Sequence, residues 1–277
     1  MKHRAIVVGT AGAGSGNTAV AWAAEEARLR RLPLRFVLVL EWDAAEAREA
    51  GGSTYVERVW AASTATTDAA IRCARDIAPE ADVTADSLVG HPAARLLEIA
   101  LDAELMVLGY RGRGGFAGLR LGSVGQRVAT HAACPVTVAR GQASADGPVV
   151  AGVDDSPAAD HVLATAFAAA VTRAARLTII RSLASDRDAA EHVLAEEQLA
   201  PWREKFPDVA VETLLTHDGV APTLVSASSR AQLVIVGSRG RGTIRGALLG
   251  STGLHLLQHA DCPVLVAHPY AGDRRVG

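Results

Sequence analysis

The stretch GYRGRGGFAGLRLGSVGQRVATHAACPVTVAR at residues 109–140 is answered by GSRGRGTIRGALLGSTGLHLLQHADCPVLVAH at residues 237–268, identical at 17 of 32 positions with a constant shift of 237 − 109 = 128. An ungapped match of this length inside one chain marks an internal repeat, so two copies of one domain are the organisation to expect. Upstream, Ile6-Val7-Val8-Gly9 corresponds to Val149-Val150-Ala151-Gly152 at a shift of 143, and the 143 − 128 = 15 extra residues of the first copy are placed in 43–59. The domains then run over 1–140 and 149–277, joined at 141–148 by a linker of small, polar and turn-forming residues.

Outward from that motif, each copy alternates short apolar strands with helical segments, the pattern of a parallel sheet buried on both faces. Strands are predicted near 4–8, 34–40, 82–88, 105–109 and 135–139, and near 149–153, 177–182, 209–215, 233–237 and 263–267. Helices are predicted over Thr18 to Arg31, Trp60 to Ile77, Pro92 to Leu101 and Ser123 to His131, where Pro92 suits a first helical turn. The fold class is α/β, two tandem doubly wound domains. In such sheets ligands sit beyond the carboxyl ends of the strands, where the strand order reverses. Glycine-rich loops follow the first strand (9–16) and the fourth (109–122), and they line one crevice if those strands are neighbours.

A length of 277 residues suits two domains of about 100–200 residues each. With 49% hydrophobic residues, 21% charged and a net charge of -2, the chain is neither disordered nor a disulfide scaffold, and nothing in it favours nucleic acid as a partner. Cys73, Cys134 and Cys262 form no CxxC pair, which argues against a zinc cage and points to a reducing, cytoplasmic compartment. No apolar run reaches the roughly 18 residues of a membrane span. Lys2-His3-Arg4 before Ala5-Ile6-Val7-Val8 has the look of a signal peptide, but Gly9, Gly12, Gly14 and Gly16 cut its apolar part short, so a buried first strand is expected.

The chemical signal is Gly109-x2-Gly112-x9-Gly122-Ser123 and its twin Gly237-x2-Gly240-x9-Gly250-Ser251. Glycines let backbone N–H groups come close to a phosphate, and a helix opening at Gly-Ser offers unpaired N–H groups and a positive dipole end. An ordinary serine cap on a flexible loop is the bland alternative. Arg111, Arg113 and Arg120, with Arg239, Arg241 and Arg245, are candidates to screen phosphate charge, each equally suited to a solvated surface. The first loop is neither a P-loop, since Gly14 is followed by Ser15-Gly16 and not by Lys, nor a GxGxxG fingerprint, since position 17 is Asn17. Its second-copy counterpart carries Asp154, suited to a ribose hydroxyl, a metal or simply a turn. His131 and His259 near helix ends, Cys134 and Cys262 before buried strands, and Trp22, Trp42, Trp60 and Trp202 are read as structural.

Both copies resemble the universal stress protein family, in many members an ATP-binding α/β domain, and the resemblance spans nearly the whole chain as a tandem pair. It rests on the Gly-x2-Gly-x9-Gly-Ser motif and on the Ala-x-Cys-Pro-Val segments ending at Val136 and Val264. It implies in each copy a five-stranded parallel sheet ordered 3-2-1-4-5, Rossmann-like and similar to adenine nucleotide alpha hydrolases, with the two glycine loops as neighbours. Carried over by position, it implies adenine contacts around Val39 and Leu108, ribose near Gly109, and phosphates around Gly112, Gly122, Ser123 and Val124. In the second copy the same places are Ser182, Val236, Gly237, Gly240, Gly250, Ser251 and Thr252, with Asp154 as the acid after the first strand. The first copy departs there, with Ala11 in place of the acid and Ala13 where a serine is usual.

The function so implied is binding of ATP, with or without Mg2+, by a cytoplasmic stress sensor or regulator that is not an enzyme and engages neither nucleic acid nor membrane. The alternative, a nucleotide-dependent hydrolase or nucleotidyl-transferring enzyme on a related fold, needs a base and a metal clamp, for which Asp154 is the one repeated-site candidate. The strands around Val136 to Val138 and Val264 to Val266 are expected at sheet edges. The copies are therefore expected to dock as an intramolecular pseudo-dimer, with homodimerisation of the chain left open.

Overall fold

Apolar strands with no polar face must be covered on both sides, and the computed structural model shows how this chain does it. It describes residues 4–10, 15–41, 48, 52–110, 122–156, 158–183, 188–238 and 249–268. Backbone contacts divide the chain into two units, Met1–Ala139 and Arg140–Gly277.

The first unit runs β1 (Ile6–Thr10), α1 (Ser15–Arg30), β2 (Leu34–Leu40), α2 (Gly52–Ile77), β3 (Val83–Val89), α3 (Pro92–Ile99), β4 (Leu105–Gly109), α4 (Ser123–His131) and β5 (Val136–Ala139). Its strands lie in the order β3-β2-β1-β4-β5, all paired in parallel. The second unit runs β6 (Val149–Gly152), α5 (Ala159–Arg173), β7 (Leu177–Ser182), α6 (Asp188–Lys205), β8 (Val211–Thr216), α7 (Val220–Ser228), β9 (Leu233–Gly237), α8 (Ser251–His259) and β10 (Val264–Ala267). Its order is β10-β9-β6-β7-β8, again parallel, so each unit has the 3-2-1-4-5 arrangement that the resemblance implies.

Each sheet is sandwiched between helix pairs, α1 with α2 and α3 with α4 in the first unit, α5 with α6 and α7 with α8 in the second. The central strands carry the core: Ile6, Val8, Leu34, Phe36, Leu105 and Met106 are fully buried in one unit, as are Leu177, Ile179, Leu233 and Ile235 in the other. Phe167 of α5 adds a ring stack with Trp202 at 5.9 Å and Phe206 at 5.4 Å between centroids, which fixes α6 on its face of the sheet.

Several boundaries differ from the sequence expectation, among them the start of α1, at Ser15 and not at Thr18, and the start of β8, at Val211 and not at 209. β1 lies at 6–10 and not 4–8: its pairing with β4 begins at Ile6 and Leu105, just after the Glu104 N–H donates to the Ala5 carbonyl at 2.9 Å. α2 begins at Gly52 and not at Trp60. The added turns, Gly-Ser-Thr-Tyr-Val-Glu-Arg-Val, have poor helix propensity, but Tyr55 is 3% exposed and Arg58 lies over its ring at 5.7 Å, so packing overrides propensity. Register places the surplus of the first copy: Leu34 of β2 pairs with Val83 of β3, and Leu177 of β7 pairs with Val211 of β8. The shifts are thus 177 − 34 = 143 before, and 211 − 83 = 128 after, the segment holding α2.

Residues 141–148 are bonded into the second unit. The Gln142 N–H donates to the Asp261 carbonyl at 2.9 Å and the Ser144 N–H to the Ala231 carbonyl at 3.1 Å. Arg140 precedes them, its Nη1 donating to the carbonyls of Leu256 and Leu257 at 3.0 and 2.8 Å and so capping the end of α8. Gly141 has φ +56, and a Cβ there would stand 1.7 Å from the Asp261 carbonyl oxygen. Gly141→Ala should therefore destabilise the second unit by at least about 1–2 kcal/mol from the left-handed backbone alone, read as a lower urea midpoint.

Candidate functional site

In each unit the strand order reverses beside the first strand, and the register shows what meets there. Gly9, near the carboxyl end of β1, lies between Val37 of β2 and Leu108 of β4. Gly152, at the end of β6, lies between Ile180 of β7 and Val236 of β9. The loops after the first and fourth strands therefore leave the sheet side by side, on the edge where nucleotides bind in doubly wound folds. The glycines answer a packing need: a Cβ on Gly9 would stand 2.7 Å from Leu108 Cδ2, and one on Gly152 2.7 Å from Leu224 Cδ1. Leu224 and Leu96, from α7 and α3, close in over these strand ends and are buried.

Leu108 and Val236 are buried at the penultimate positions of β4 and β9, and Gly109 and Gly237 end those strands half-buried. Val39 is half-buried and Ser182 exposed at the matching ends of β2 and β7. Gly122 and Gly250 occupy the cap positions before α4 and α8, with Ser123 and Ser251 as first helical residues and Val124 and Thr252 as second. The serines are thus not the caps: a glycine, which has no side chain to offer, stands at the N-terminal cap of each helix. Each loop is closed at its base in the same way: the Gly122 N–H donates to the Tyr110 carbonyl and the Gly250 N–H to the Ser238 carbonyl, both at 3.3 Å. Gly250 has φ -55, which any residue adopts, and a Cβ there would meet nothing within 4 Å. Among the described residues, then, nothing crowds the glycine through which α8 is entered. Gly112, Gly240, Ala11, Ala13 and the six arginines of the motif lie outside the described residues.

Asp154 follows β6, and its Oδ1 accepts the Ser156 N–H at 3.0 Å, an Asx turn. The neighbouring Asp155 pairs with Arg181 of β7, whose guanidinium also donates to Gln198 Oε1 on α6. Gln198 Nε2 in turn reaches the Asp154 carbonyl at 3.5 Å. Sequence reading picks out Asp154 but neither Asp155, Arg181 nor Gln198.

The universal stress protein family model matches residues 2–140 and again 147–268. The chain belongs to the universal stress protein family. Universal stress protein Rv2623 of Mycobacterium tuberculosis (strain ATCC 25618 / H37Rv) is 36% identical over 288 residues, covering 95% of this chain and 95% of that protein. The crystal structure of a universal stress protein from Archaeoglobus fulgidus DSM 4304 shares the fold, with TM-score 0.71 and 17% identity over 96% of this chain and 99% of that one. A universal stress protein solved in complex with cAMP is 26% identical over 50% of this chain and 97% of its own, with TM-score 0.37.

The histidines and cysteines of this universal stress protein that sequence reading sets aside make contacts within the fold, and Trp42 lies outside the described residues. His131 and His259 each place Nδ1 2.9 Å from the carbonyl four residues back, of Arg127 and His255, closing the last turns of α4 and α8. Cys134 and Cys262 are buried, and burial pushes both thiols up to about 12, far from a reactive thiolate. Trp202 stacks on the buried Phe167, whereas Trp60 is 45% exposed and lines an apolar hollow with Leu40, Val56 and Val89. Among the described residues no three His, Cys, Asp or Glu side chains gather as a metal site, and no helix is long and apolar enough to cross a membrane.

Proposed function

We propose that each unit binds ATP at the carboxyl ends of its strands and that the chain works as a cytoplasmic, nucleotide-responsive stress regulator and not as an enzyme. The observation that carries this reading is the twice-built helix entrance: an N-terminus entered at a glycine cap, with a glycine motif of identical spacing before it and, at Gly250, no described atom within 4 Å of where a Cβ would stand. Such an entrance attracts polyphosphate through backbone donors and the helix dipole. The adenine would lie against the strand ends at Val39 and Leu108, or Ser182 and Val236, the ribose near Gly109 or Gly237, and the phosphates around Gly112, Gly122, Ser123 and Val124, or Gly240, Gly250, Ser251 and Thr252. Mg2+, where present, would be held chiefly by the phosphates, with Asp154, the acid after β6, as the candidate side-chain ligand. Calorimetric titration of ATP tests the reading, with two sites per chain expected; no heat and no protection at millimolar ATP would sink it.

Backbone donors bind phosphates without activating a water, so binding should come without turnover. Single-turnover hydrolysis is expected far below about 1 s⁻¹, and a rate near that value would favour the enzyme alternative. Self-association, of the two repeats as a pseudo-dimer and of whole chains as a homodimer, rests on the end positions of β5 and β10 in the strand order of their own units. Light scattering on the full chain and on 1–140 and 147–277 expressed separately tests it, and two monomeric halves that ignore each other would contradict it.

A further inference from the structure

Arg181 is a charged strand residue that is buried, unlike Arg35 and Asp86, which pair on the surface of the first unit. It lies in β7 between buried Ile180 and exposed Ser182, with its side chain 5% exposed. Burial of a guanidinium is costly unless its donors are engaged, and here Asp155 and Gln198 accept from it. Both partners bear on one short turn. Asp155 belongs to it, and Gln198 Nε2 reaches its Asp154 carbonyl. The Val153 N–H donates to the Ile180 carbonyl at 3.1 Å and the Ser156 N–H to Asp154 Oδ1, so residues 153–156 are tied to β7 and α6 and closed by a bond of their own. The residues at the matching positions of the first unit cannot form this bridge. Since Ile6 pairs with Leu34 as Val149 pairs with Leu177, the position of Arg181 is Leu38, which is buried, and that of Asp155 is Gly12.

We propose that Arg181 is a positioning residue for the second nucleotide site: bridging Asp155 and Gln198, it holds the turn that presents Asp154 in its bound form before ATP arrives. The inference rests on the ATP-binding reading above. A turn already ordered loses less conformational freedom on binding, which appears as affinity. The buried Leu38 at the same register shows that the fold accepts leucine there, so Arg181→Leu is a variant expected to fold.

The test uses the full chain in a Gly112→Val background, so that only the second site reports. Arg181→Leu should weaken ATP about 10-fold, and Arg181→Lys, which keeps a cation for Asp155, should recover most of that loss. Amide exchange at 153–156 should accelerate in Arg181→Leu while the amides of β6 and β9 keep their protection. Asp155→Asn should cost less in the Arg181→Leu background than in the parent, because the two residues act through one contact. A role in stability alone would lower the thermal midpoint of Arg181→Leu yet leave its ATP affinity within twofold of the parent; that result overturns the inference. Failure of the parent itself to bind ATP would overturn the nucleotide reading, and this inference with it.

Discussion

Gly250→Val should raise the dissociation constant for ATP at the second site by 100-fold or more while leaving that unit folded. The backbone at Gly250 has φ -55 and ψ 153, a conformation valine adopts freely, and a Cβ would meet no atom within 4 Å. The fold therefore does not require glycine at this position, and the cost of a poorer helix cap is about 1 kcal/mol. What valine removes is access. Its branched side chain would stand beside the N–H groups of Ser251 and Thr252, which phosphate oxygens must reach to within about 3 Å. Each charge-assisted bond lost is worth about 1.5–3 kcal/mol, so losing two exceeds 100-fold. Calorimetry measures the affinity and far-ultraviolet circular dichroism the fold. Gly240→Val should act alike at this site, and Gly112→Val at the first. Undiminished affinity in folded Gly250→Val would remove the start of α8 from the site.

How much of this molecule is legible without coordinates depends on the range of the forces involved. The strands could be read because burial on both faces leaves continuous apolar runs such as Leu233–Gly237, and the repeat supplied each reading twice. The helix entrances could be read because glycine spacing is a local property. The first turns of α2 escaped, since Tyr55 holds them by burial that neighbouring residues do not announce. The network behind Asp154 escaped for a related reason: Arg181 is 26 residues from Asp155 and 17 from Gln198, and it takes the pairing of β6 with β7 and the placing of α6 to bring them together. A signal was present all the same. Arg181 interrupts an apolar strand at a position where the other copy has Leu38, and a charge placed there needs a partner from elsewhere in the fold.

The second site should bind ATP more tightly than the first, by roughly 10-fold to 100-fold, because Asp154 can take a charge-assisted hydrogen bond from a ribose hydroxyl or help hold a metal, and Ala11 can do neither. The structure sharpens how this is tested. One carboxylate oxygen of Asp154 already accepts the Ser156 N–H, so Asp154→Ala removes both a ligand and a turn. Asp154→Asn keeps a carbonyl oxygen for the turn and loses only the charge. If the charge binds the nucleotide, both variants should erase the difference between the sites, and Ala11→Asp should narrow it from the other side. If the carboxylate serves the turn alone, Asp154→Asn should bind ATP as the parent does and only Asp154→Ala should weaken it. Calorimetry in Gly112→Val and Gly240→Val backgrounds reads each site separately. Equal affinities at the two isolated sites, with Asp154→Asn unchanged, would reduce this aspartate to the acceptor of a turn and leave the phosphate contacts to carry the affinity.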